Sequence, residues 1–327
     1  MSGRAKRSEA QSSESQLVGV LSRVFRHDAA APNVMLGIGD DAACLRFTGK
    51  LVVSVDAQVE GTHFRLEWLD LKDLGFRSFQ AAISDLAAMG ATPVAAVSHL
   101  TLPADFRPAE LRRLSLGQEQ AAAATACPVI GGNLSRGSEL SVVTTVLGRA
   151  KRYVTRSGAR PGDEVWLLGE IGLARAGLEL LLSESKLRTR AARRALAAWR
   201  RPMALLEEGR ALVGRARACL DVSDGLGQDV KRLADASGVR IDLDQQLVRR
   251  ALPPELEALE RSLGWSALEL ARQGGEDYAL LATGPAKRRP KAARVIGAVR
   301  QGKGAWIDEG GRLRPLEGGF DHFRAEK

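Results

Sequence analysis

Apolar runs of strand length alternate with alanine- and leucine-rich helical stretches along this chain. They do so twice, once on each side of a segment dense in turn formers, SGARPGD at residues 157–163. Such alternation selects a layered α/β or α+β architecture over an all-helical bundle or an all-β sandwich. At 327 residues the chain exceeds what one core ordinarily organises, so two domains are expected. In the first half, periodicity predicts helices over 16–25, 71–89 and 108–126. Strands are expected over 51–55, 94–102, 129–130 and 140–147, with Asp56 at the end of the first strand and a turn at Gly131 and Gly132. In the second half, strands are expected over 164–168, 218–222, 239–243, 278–282 and 294–299. Helices fill 173–217 and 226–236, and a loop-rich tail closes the chain. The domains are therefore set at 16–150 and 151–327. Before them lies an extension, 1–15, whose Ser, Arg, Lys and Glu residues predict disorder and lack the apolar core of a secretory signal.

The formal charge of +9 raises the question of a nucleic-acid partner. Its densest source is arginine spaced along a helix: Arg188, Arg190, Arg193, Arg194, Arg200 and Arg201 interleave with Ala and Leu, as on a solvated face. No aromatic residues alternate with the basic ones and no nucleic-acid module is present, so no nucleic-acid partner is expected; no segment approaches the length of a membrane span, so no membrane is expected either. Three isolated cysteines, Cys44, Cys127 and Cys219, suggest neither a disulfide framework nor a zinc site. A reducing cytoplasm fits them.

Chemistry is expected where carboxylates sit in short glycine-rich segments. These are Asp40 and Asp41 in GIGDDAA, Asp56 in SVDAQVEGTHF, Asp85 in SDLAAMGATP, and Asp221 and Asp224 in DVSDGLGQD. A single Asp in such a turn usually caps a helix. Several such acids converging in one chain would instead repel one another, and hard cations would relieve that repulsion; magnesium, which shares oxygen ligands with phosphates, suits them best. No GxxxxGK[ST] loop, protein-kinase HRD or DFG set, HExxH helix or nucleophile elbow is present.

Seven segments, taken in order, resemble the motifs of thiamine-monophosphate kinases: GIGDDAA (37–43), VEGTHF (59–64), SDLAAMGATP (84–93), RSGARPGD (156–163), DVSDGLGQD (221–229), GGEDYALL (274–281) and GGFDHF (318–323). The resemblance covers nearly the whole chain, from about residue 15 to 323. The resemblance implies an aminoimidazole ribonucleotide synthetase-like fold of two α/β domains, with the N-terminal sheet joined across a homodimer. The N-terminal domain would bind ATP and magnesium, and the C-terminal domain would complete the nucleotide and substrate site. It implies transfer of the ATP γ-phosphoryl to thiamine monophosphate. Asp41, Ser54, Asp56, Asp85, Asn133, Asp221 and Asp224 would hold several magnesium ions. Asp41, Gly132, Asn133, Arg156 and Ser223 would contact ATP, and His63, Glu276 and Phe320 would bind thiamine monophosphate.

No general base is expected, because a phosphate monoester is already largely dianionic at neutral pH, its second pKa being about 6. Catalysis would rest on magnesium and on in-line positioning. This chain departs from the pattern twice: Asn133 stands where the family has an aspartate, and Ala82 where it has an asparagine. Two alternatives stand beside this reading. One is another ATP-dependent synthetase of the same superfamily; the other is a weakly catalytic homologue that binds nucleotide or thiamine phosphate.

Overall fold

The computed structural model describes residues 13–25, 32–38 and 42–320. In chain order the first half contains α1 (Glu14–Val24), β1 (Val34–Leu36), β2 (Cys44–Leu45), β3 (Lys50–Val59), α2 (Leu71–Ala88), β4 (Thr92–Leu102), α3 (Pro108–Thr125), β5 (Val129–Arg136) and β6 (Ser141–Ala150). The second half opens with β7 (Glu164–Leu168), α4 (Leu173–Leu182), α5 (Arg190–Arg200), α6 (Leu206–Leu212), β8 (Ala218–Val222), α7 (Leu226–Ser237) and β9 (Arg240–Asp244). It continues through α8 (Gln245–Ala251), α9 (Pro254–Leu263), α10 (Ala267–Gln273), β10 (Ala279–Gly284), β11 (Arg294–Arg300), β12 (Gly304–Asp308) and β13 (Leu313–Pro315). The architecture is the mixed α/β one that the alternation demands. By their contacts the residues form two units: Met1–Phe47 with Asp56–Ser78 and Ala95–Thr145, and Thr48–Val55 with Phe79–Val94 and Val146–Lys327.

A four-stranded sheet has the order β3-β6-β4-β5, with β4 and β5 parallel. In the first unit, α1 packs on α3 through an apolar face that includes Val20. A capping box starts α1: the Gln16 backbone N–H donates to Ser13 Oγ at 3.3 Å, and the Ser13 N–H donates to Gln16 Oε1 at 2.9 Å. Of the expected extension, Ser13–Ser15 therefore cap and open a helix; the rest lies outside the described residues.

The second unit is built on a seven-stranded sheet, β13-β12-β9-β11-β7-β10-β8, antiparallel except at β12/β9. Its central strands are buried on both faces, which explains their unbroken apolar sequences. Val165 and Leu167 of β7 face Leu226, Val230 and Leu233 of α7, while Trp166 and Leu168 face Leu212 of α6 and Ala87 of α2. Helices α4, α5, α9 and α10 make a separate apolar cluster around Leu180, Ala195, Leu256 and Leu270.

Three expectations are corrected. Strand β3 runs beyond Asp56 to Val59, so the acid lies within the strand; the polar Gln58 that hides this continuation is buried and accepts from Arg77 Nε at 3.1 Å. Strand β5 does not stop at Ile130 but continues through both glycines to Arg136. The tail holds β12 and β13 rather than loop alone. Among the described residues no helix is long and apolar enough to cross a membrane.

Candidate active site

In the second unit the end of α2 meets β8 and β3. Ser84 and Asp85 are consecutive on α2: the Ser84 hydroxyl donates to the Asp221 carboxylate on β8, and the Ser54 hydroxyl of β3 donates to Asp85. Asp221 is 5% exposed. Burial, followed by the charge of Asp85, pushes its carboxyl up to about 6, against the Ser84 hydroxyl, its own backbone N–H and the more distant Arg156. This donor set, two acids and two hydroxyls with net negative charge, has the chemistry of a hard-cation site. Among the described residues no three His, Cys, Asp or Glu side chains group to enclose an ion. The acids come as a pair, and Asp40 and Asp41 lie outside the described residues.

Beyond β8 the chain turns at Ser223 and Asp224, and the carbonyls of these two residues hold two distant segments. The Glu276 N–H donates to Ser223 O at 2.8 Å, and the Phe320 N–H donates to Asp224 O at 2.9 Å. Close approach at the first contact requires a glycine: a Cβ on Gly275 would lie 2.1 Å from Ser223 O. Glu276 itself has φ 64°, and its carboxylate accepts from Trp199 Nε1 at 3.1 Å. The next residue, Asp277, accepts from the Gly172 and Ala174 N–H groups at 2.6 and 3.0 Å, capping α4. Burial nevertheless drives its pKa up to about 7. The Asp224 carboxylate is ion-paired with Arg232, which also donates to Asp229 at 2.9 Å. Burial and the charge of Asp224 raise Asp229 to about 7.

In the first unit Asp56 is half-buried within β3. His63 is fixed by its own turn: its backbone N–H donates to Val59 O at 2.9 Å, and its Nδ1 accepts from the Val59 N–H at 3.1 Å. Gly132 passes so near β4 that a Cβ there would stand 1.8 Å from Ser98 O. Asn133 follows, its amide nitrogen 3.1 Å from His99 Nδ1.

The structure thus joins Ser54, Asp85 and Asp221 in one cluster, with Arg156 acting on it by charge. It joins Ser223, Asp224, Glu276 and Phe320 in a second, while Asp56, His63, Gly132 and Asn133 belong to the other unit. Sequence reasoning missed Ser84, Trp199, Arg232, Asp229, Asp277 and His99. Arg232 was within reach, three residues after Asp229 on a helix. Trp199 lies in an arginine-rich helix and His99 on a neighbouring strand, so pairing them with Glu276 and Asn133 requires the tertiary fold.

Residues 39–150 match the AIR synthase related protein N-terminal domain, and residues 160–305 the corresponding C-terminal domain. Fold and site together define a two-domain AIR synthase related protein. Thiamine-monophosphate kinase from Aquifex aeolicus is 34% identical over 289 residues, covering 88% of this chain and 92% of the relative. Its namesake from Escherichia coli K12 is 38% identical over 281 residues, covering 83% of each. The chain belongs to the thiamine-monophosphate kinase family. The solved structure of AaThiL complexed with AMPPCP and TMP superposes with a TM-score of 0.79 at 31% identity, covering 95% of this chain and 97% of that one.

Proposed function

We propose that the protein transfers the γ-phosphoryl of ATP to the phosphate of thiamine monophosphate, giving thiamine diphosphate and ADP. The observation that carries this reading is the Asp85–Asp221 pair: two acids with hydroxyl partners, one of them raised by burial and by the other's charge, in a chain similar to these kinases over most of its length. Magnesium suits that donor set. Ser54, Asp56, Asp85, Asp221 and Asn133, with Asp41, are the residues assigned to hold it, and Asp224 joins them with Arg232 as its existing counter-ion. Bound there, magnesium neutralises charge on the two phosphate-bearing substrates.

Asp41, Gly132, Asn133, Arg156 and Ser223 are assigned to ATP. His63, Glu276 and Phe320 are assigned to thiamine monophosphate, with the Glu276 carboxylate meeting the cationic thiazolium and the Phe320 ring offering a flat face. An acceptor phosphate oxygen attacks the γ-phosphorus as the bond to the β–γ bridging oxygen breaks, and ADP leaves. The chain removes no proton, so its residues act by holding and aligning.

A homodimer in the cytoplasm completes the reading. It is supported by Leu51, Val53 and Val55, which lie 53%, 53% and 60% exposed along β3, an edge strand of the four-stranded sheet. Chromatography of products from ATP and magnesium with either free thiamine or thiamine monophosphate tests the acceptor. Diphosphate should form from the monophosphate while free thiamine reacts poorly. Thiamine converted to monophosphate with no diphosphate formed would overturn the assignment.

A further inference from the structure

Four polar side chains stand in register on one face of the parallel β4/β5 pair. His99 is aligned with Asn133, and Thr101 with Ser135. Alternate residues of β4 point the other way, since buried Ser98 accepts from Gln118 Nε2 of α3 at 2.8 Å. An amide nitrogen can only donate, so the 3.1 Å contact from Asn133 Nδ2 makes His99 Nδ1 an acceptor and places the imidazole proton on Nε2. Nε2 finds Thr101 Oγ1 at 3.2 Å and Ser135 Oγ at 3.3 Å, and these two hydroxyls lie 3.2 Å apart. Both ring nitrogens therefore have partners, and in this arrangement the amide lies with Nδ2 on the imidazole and Oδ1 turned from it. An exposed asparagine without such a partner presents either end.

We propose that His99 is a positioning residue which, by accepting from Asn133, commits the Asn133 carbonyl oxygen to the magnesium–nucleotide. This rests on the assignment of Asn133 above and deepens it. An imidazole that only accepts at Nδ1 has a use beside an amide and none beside a carboxylate, which lacks the proton to donate. The pair His99 and Asn133 therefore makes a neutral oxygen donor whose direction is set by a neighbouring strand, in the manner of partners that orient metal ligands.

The experiment compares His99→Asn with His99→Gln. Asparagine keeps an acceptor where Nδ1 stands; glutamine places its amide where Nε2 stands and leaves Asn133 unheld. Calorimetric binding of AMPPCP is followed as magnesium is raised. His99→Gln should increase the magnesium needed for half-maximal binding roughly tenfold, whereas His99→Asn should stay near the parent, with the KM for thiamine monophosphate unchanged in both. Equal behaviour of the two variants overturns the proposal. In the parent, ¹⁵N spectra of the four histidines, with His99 assigned by substitution, should show it protonated on Nε2; a proton on Nδ1 overturns the proposal without any variant. A parent that binds no AMPPCP with magnesium would remove the assignment of Asn133 itself, a failure distinct from binding that ignores His99.

Discussion

Asp221 is held against its own electrostatic preference: it is buried, and the charge of Asp85 opposes its ionisation. Removing its charge should therefore have opposite effects on activity and stability. Asp221→Asn or Asp85→Asn should cut turnover on the order of 100-fold or more, as loss of a charge-organising group does, measured by steady-state rates at saturating magnesium. The metal-free Asp221→Asn protein should melt at a higher temperature than the parent at pH 8. The folded-state pKa values of Asp221, Asp229 and Asp277, at about 6, 7 and 7, all exceed the ordinary 3.8. Between about pH 4 and 7 the folded chain thus holds protons that the unfolded chain releases, and stability falls as pH rises through that window. The Asp221 shift corresponds to at most about 3 kcal/mol. Thermal melts in chelator from pH 5 to 8 should show this decline, shallower in Asp221→Asn; a parent that gains stability over the same range would contradict the burial argument. At Phe320, →Ala should mainly raise the KM for thiamine monophosphate. A change confined to the KM for ATP would place the ring elsewhere.

Strand β3 carries two roles on its two faces. Ser54 turns to Asp85, and the outward Leu51, Val53 and Val55 form the apolar edge assigned to a second copy. Val53→Lys should convert a sedimenting dimer to monomer, and an unchanged sedimentation coefficient would refute that use of the edge. The same strand shows what its sequence disclosed. Its first half was plain as a run rich in β-branched residues, but its continuation past Asp56 carries a buried glutamine that accepts from Arg77, nineteen residues on, which local pattern does not disclose. Likewise, Gly131 and Gly132 read as a turn because glycine usually permits one. Here it permits β5 to lie against β4, a contact made between residues more than thirty positions apart. Helices with a clear period, such as α2 and α7, were legible nearly to their ends. Asp85 on α2, and Asp221 and Asp224 just before α7, were legible through their glycine-rich settings. Their partners Ser84, Arg232 and His99 were not, since local pattern says nothing of what faces a side chain.

At the scale of the whole chain, the seven motif segments are distributed over both units, and no single unit contains them all. The Ser223–Asp224 turn shows how such a protein is assembled. Backbone carbonyls at the end of one strand fix segments fifty and nearly a hundred residues onward, so chemistry written far apart in sequence is brought to one place by main-chain hydrogen bonds. The central claim is that the phosphate of thiamine monophosphate is itself the acceptor. Phosphorus NMR of the purified protein with ATP, magnesium and thiamine monophosphate tests it directly. The monophosphate resonance should be replaced by the coupled pair of a diphosphate, one for each ADP formed. ADP accumulating beside inorganic phosphate, with the monophosphate resonance unchanged, would contradict the account.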